Sequence, residues 1–79
     1  MQKSLSSTKQ KAFLRLLRDI RLEAGLRQSD VAMRLKQPQS FVSKYESGER
    51  RLDLLELEKV CKACHMDLVE FIRRYQKQT

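Results

Sequence analysis

The segment Cys61-Lys-Ala-Cys64-His65 is the first place to look for chemistry, because C-x-x-C-H is the spacing of a covalent haem attachment and it contains the chain's one histidine. That chemistry needs export and a second axial ligand, and Met66, next in the chain, cannot reach the opposite haem face. Zinc would find two thiolates and one imidazole, with no fourth ligand in view. Cys61 and Cys64 instead continue the apolar stripe of Leu57 and Val60. A buried cysteine packs as a small hydrophobe, so core packing explains them, and neither a metal nor a cofactor is expected. An intrahelical disulfide does not suit a reducing compartment. Asp53/Glu56 and Asp67/Glu70 have capping-box spacing and read as helix caps. With one histidine, no glycine-rich phosphate loop and no Ser/His/Asp arrangement, the chain is not expected to be an enzyme.

A second set of polar groups is more informative. Gln39, Ser40, Ser43 and Lys44 share one side of a short helical stretch whose other side carries Val42 and Tyr45. Amide and hydroxyl groups on a helix can bond base edges and phosphates in a DNA major groove, and glutamine can pair bidentately with adenine. The charge agrees. The chain carries a net +7, and the whole excess lies in residues 1–52, where twelve basic side chains face five acidic ones. An asymmetric basic domain points first to nucleic acid. No helix pairs a clean basic face with a wholly apolar one, which weakens a membrane-surface reading.

These side chains need a scaffold, and the apolar spacing supplies it. Phe13, Leu16, Leu17, Ile20 and Ala24 recur at helical spacing, and Gly25 stops that helix. Val31, Ala32 and Leu35 mark a second helix over 28–35. After the turn at Lys36-Gln37, Pro38 stands at the start of a third helix, spanning about 38–46, which Ser47-Gly48-Glu49 stops. Ala32 is the small residue that lets helices two and three approach at a steep angle. Leu54, Leu57, Val60, Cys61 and Cys64 are the apolar residues of a fourth helix, and Leu68, Phe71, Ile72 and Tyr75 those of a fifth. No stretch alternates with period two long enough for a strand. The expected fold is all-α, five short helices in one bundle. Residues 1–7 are expected to be a frayed polar arm and 8–79 a single domain. No apolar run reaches the ~18 residues of a membrane span, and the first 20 residues lack the apolar block of a signal peptide. A cytoplasmic location is the expectation.

Ile20-Arg21, Gly25-Leu26-Arg27-Gln28, Val31-Ala32 and the run Gln39 to Arg50 together resemble the lambda-repressor-like, or XRE, helix-turn-helix family, over about residues 10–75. The resemblance implies a sequence-specific transcriptional regulator of the Cro/cI type, a repressor or activator that reads a double-stranded DNA operator, commonly as a homodimer. It implies that Gln28 clamps a phosphate near a helix N-terminus, which free N–H groups there also favour. It places Gln39, Ser40, Ser43 and Lys44 on the recognition face, with Phe41 beside them against a thymine methyl or in helix packing. It sets Arg50 and Arg51 near backbone phosphates, and makes Arg21 and Glu46 an internal ion pair. Helix five and its flanks, Val69, Ile72, Arg73, Tyr75 and Gln76, are the expected dimer surface. The other reading of the scaffold is a protein-interaction module, such as an antitoxin with a toxin partner. Three departures from the family stand out. Arg27 takes the place of a Ser, Thr or Asn cap, a loss of about 1 kcal/mol that Asp30 can offset. Lys36 replaces a turn glycine, and Pro38 a Ser or Thr cap.

Overall fold

The computed structural model describes residues 7–78 as five helices, α1 (Thr8–Glu23), α2 (Gln28–Leu35), α3 (Gln39–Ser47), α4 (Leu54–Ala63) and α5 (Leu68–Gln78), with no strand among them. Four of the helix ends share one solution. At the end of α1, Leu26 N–H donates to Arg21 C=O at 3.1 Å and Gly25 N–H to Leu22 C=O at 2.9 Å, the paired bonds of a Schellman stop. The same pair recurs at Gln37→Ala32 with Lys36→Met33, at Glu49→Lys44 with Gly48→Tyr45, and at Met66→Cys61 with His65→Lys62. Each stop needs one left-handed residue. Gly25 and Gly48 supply two, and Lys36 and His65, both at φ 58°, supply the others at about 1–2 kcal/mol each.

The helix starts are less uniform. Asp53 and Glu56 form a full capping box, Glu56 N–H to Asp53 Oδ1 at 2.7 Å and Asp53 N–H to Glu56 Oε1 at 3.0 Å. At Asp67 only the forward bond forms, from Glu70 N–H at 3.2 Å. At Arg27 only the reciprocal one forms, from Arg27 N–H to Asp30 Oδ2 at 2.8 Å. A guanidinium has no acceptor, so Asp30 does the satisfying. Two sequence boundaries shift. Ser7 Oγ accepts from Gln10 N–H at 3.0 Å and caps α1, so Ser7 belongs to the folded domain and not to the arm; residues 1–6 lie outside the described residues. Pro38 is the residue before α3, extended at ψ 156°, so the helix runs 39–47 rather than 38–46.

The core joins Leu16, Leu17 and Ile20 of α1 to Val31 and Ala32, Val42 and Tyr45, Leu57, Val60 and Cys61, and Phe71. Burying each large apolar side chain contributes roughly 1.5–3 kcal/mol. Cys61 and Cys64 lie inside this core, and burial pushes their thiols up to about 12 and about 11. Phe13 meets Phe71 and Tyr75 edge-on at 6.0 and 6.3 Å, and Arg74 grips Glu23 through two 2.8 Å bonds; together they fasten α5 to α1. Arg34 donates to Ala63 C=O at 2.8 Å and to His65 Nε2 at 3.0 Å, a cation at the C-terminus of α4 where the dipole favours one. Leu54, the first residue of α4, is 64% exposed although it shares the helix with the buried Leu57, Val60 and Cys61. No described helix is long and apolar enough to cross a membrane.

Candidate nucleic-acid interface

Helix α3 is amphipathic by necessity. Val42 and Tyr45 are almost wholly buried, at 0% and 1% exposed. At 100° per residue this turns positions 40, 43, 44 and 47 outward as one stripe, with Gln39 at its head. Gln39, Ser40, Ser43 and Lys44 are all exposed. The stripe is polar, and its backing is rigid: Ala32, 3% exposed, lets α2 pack closely behind it.

The C-terminal part of α3 is tied to α1 and α2. Arg21 Nε and Nη2 donate to Glu46 Oε2 and Oε1 at 2.6 and 3.0 Å, and Arg21 Nη1 to Leu26 C=O at 3.1 Å. Both side chains are about nine-tenths buried. The hydrogen bonds from Arg21 to Glu46 raise the arginine further above its ordinary range. Gln28 joins this pair, donating from Nε2 to Glu46 Oε1 at 3.1 Å. Its amide is therefore aimed from the start of α2 toward α3. Beside it a recess of about 370 Å³ is lined by Arg18, Arg21, Gln28, Ser43, Glu46 and Ser47. Arg18 is exposed on α1 and was not singled out by sequence, since it lies outside the helix-turn-helix and only the crossing of α1 behind α3 brings it here.

The N-terminal part of α3 is held differently. Phe41 is half-buried, edge-on to Tyr45 at 5.6 Å, and the Arg50 guanidinium lies over its ring at 4.6 Å. The structure thus puts Phe41 in helix packing. Arg50 also makes a bidentate pair with Glu56, at 3.1 and 2.8 Å, and donates to Arg51 C=O at 2.9 Å. The Glu56 carboxyl is held at about 2 by Arg50 and by the Asp53 N–H. Arg51 is exposed, and no acidic side chain among the described residues pairs with it. The sequence reading set these two arginines side by side; the fold separates them.

On α5, Val69 and Ile72 are 58% and 37% exposed. Arg73 meets Glu70 at 3.8 Å, Tyr75 is half-buried against Phe13, and Gln76 is exposed. Leu54 and Leu55 on α4, 64% and 69% exposed, and Leu22 and Met33, 53% and 77% exposed, are apolar surface residues that the sequence does not single out. Among the described residues no three His, Cys, Asp or Glu side chains gather as a metal site.

The helix-turn-helix family HTH_3 matches residues 17–71. Among solved structures, an XRE-family-like protein from Pseudomonas syringae pv. tomato str. DC3000 is 39% identical over 90% of this chain and 87% of its own, with a TM-score of 0.83. The wild-type restriction–modification controller protein C.Esp1396I is 26% identical over 92% of this chain and 94% of its own, with a TM-score of 0.82. No curated protein matches the chain.

Proposed function

We infer the function from a premise the match over residues 17–71 establishes: this chain belongs to the HTH_3, XRE-type helix-turn-helix family. It is a DNA-binding transcription regulator, and α3 reads an operator in the major groove of double-stranded DNA. The observation that carries this is the exposed stripe of Gln39, Ser40, Ser43 and Lys44 on a helix whose back is buried. A major groove about 12 Å wide admits one such helix. Gln39 is the candidate for adenine. Lys44 and Arg51, with Arg18 and Gln28 at the recess, are the candidates for flanking phosphates.

The operator is read as a homodimer. Val69, Ile72, Arg73, Tyr75 and Gln76 form the dimer surface, and the exposed Leu54 and Leu55 supply further apolar area for it. A domain this small gains stability from a partner. Two recognition helices then lie about 34 Å apart, one DNA turn. The similarity to a restriction–modification controller supports a regulator built on this fold.

Selection of bound sequences from a random duplex pool tests the reading. The expected product is a motif of two related half-sites about 10 base pairs apart, with affinity falling steeply in salt. A pool that shows no enrichment after repeated rounds defeats it.

A further inference from the structure

We propose that Arg50 is a positioning residue that sets base specificity through Phe41 and is not itself a phosphate contact. This rests on α3 being the DNA-reading helix. Three observations carry it. Pro38, before α3, makes no side-chain cap, so the turn that carries Gln39 and Ser40 has no hydrogen-bonded anchor of the kind Asp53 gives α4. What holds that turn is Phe41, whose ring is pinned between Tyr45 on one edge and the Arg50 guanidinium at 4.6 Å. And Arg50 is itself immobilised, with three of its donor contacts going to the two Glu56 oxygens and to Arg51 C=O.

Glu56 completes the chain of contacts. The same carboxylate that grips Arg50 accepts from the Asp53 N–H and closes the capping box of α4. The N-terminus of α4 is thereby coupled, through Glu56, Arg50 and Phe41, to the first turn of α3. A guanidinium is planar, so it can stack on a ring and meet a carboxylate bidentately at once; an ammonium cannot do both. Lysine at position 50 keeps the charge that a phosphate would need and loses the geometry that Phe41 needs.

The test uses the full chain and the duplex recovered by selection, alongside duplexes altered at single bases of each half-site. Arg51→Gln is the reference for a phosphate contact: its log–log salt slope should fall by about 0.9 with base discrimination unchanged. Arg50→Gln, Arg50→Lys and Glu56→Gln should each keep the wild-type slope and cut discrimination at one base position about tenfold. The double variant Arg50→Gln/Glu56→Gln should be no worse than either single one. Urea unfolding of each variant confirms that a folded protein is compared, and Arg50→Lys serves where the glutamine variants unfold. The proposal is overturned if Arg50→Gln lowers the slope as Arg51→Gln does, if Arg50→Lys keeps full discrimination, or if Glu56→Gln keeps full discrimination. A wild-type chain with no sequence preference overturns the DNA reading itself and this proposal with it, whereas preference without these losses overturns the proposal alone.

Discussion

The two ends of α3 are held by the same chemistry under opposite conditions. At its C-terminal end, Glu46 meets Arg21 with side chains 10% and 7% exposed; beyond its N-terminal half, Arg50 meets Glu56 with side chains 40% and 29% exposed. Both pairs are bidentate. In the buried pair, losing one partner strands a charge in the core; in the exposed pair water takes the partner's place. The first pair is therefore a matter of stability. The second contributes little to stability and is suited to geometry. A recognition helix can be fastened at one end and aimed at the other.

The largest expected effect follows at Glu46. Glu46→Gln leaves Arg21 buried without its counter-charge, and about 3–5 kcal/mol of stability should be lost. For a domain this size that lowers Tm by roughly 12 °C or more, readable by circular dichroism; a loss near 1 kcal/mol would erase the contrast between the two ends.

Next comes Gly48, the stop that separates the two pairs. A Cβ there must adopt φ +89° and meets Leu14 Cδ1 at 3.0 Å, whereas at Gly25, φ +73°, it meets nothing within 4 Å. Gly25→Ala should cost about 1 kcal/mol of backbone strain and Gly48→Ala distinctly more. Equal urea midpoints for the two would show that Leu14 yields freely.

A smaller effect is expected at Glu56, and it depends on pH. Its folded carboxyl titrates at about 2, below the ordinary glutamate value of about 4.3. A depressed carboxylate adds stability above its unfolded value and loses it as pH falls through the folded one. Glu56→Gln should therefore differ from wild type at neutral pH and converge with it between about pH 4.3 and 2. Urea melts across that range that stay parallel would refute the pairing with Arg50.

The smallest concerns Tyr45, which stands between the two pairs. Its Oη is buried and has no hydrogen-bond partner among the described residues, and desolvation pushes the hydroxyl above its ordinary range. Tyr45→Phe keeps the ring contact with Phe41 and should leave stability unchanged or raise it by up to about 1 kcal/mol. Marked destabilisation would mean that the hydroxyl is satisfied after all.

Much of the scaffold was legible along the chain. Gly25 and Gly48 announce their stops because a left-handed residue is needed there, and Asp53 with Glu56 announces a start because the side chains that close a capping box lie three residues apart. Ser7 was harder: Ser4, Ser6, Ser7 and Thr8 all have cap chemistry, and only the chain's path selects one. The exposure of Leu54 was not legible, because an apolar residue in a first turn has no preceding turn to establish its side. Arg50 and Arg51 are identical in chemistry, and nothing local tells which of them meets Glu56. Arg18 and Gln28 lie on different helices, and only the packing of α1 and α2 against α3 brings both to the recess beside Ser43 and Ser47.

What composition and spacing settled is therefore local in kind. Helix periods, glycine stops and caps three residues apart depend on neighbours within about one turn, and the family likeness carried by Ile20-Arg21 through Arg50 added the Arg21–Glu46 pair. The partners of Arg50 and Gln28, and which arginines hold the fold and which are left to solvent, arise where separate segments meet. Such pairings depend on how the folded backbone brings side chains of different segments together and on how much water remains between them, and packing alone sets both.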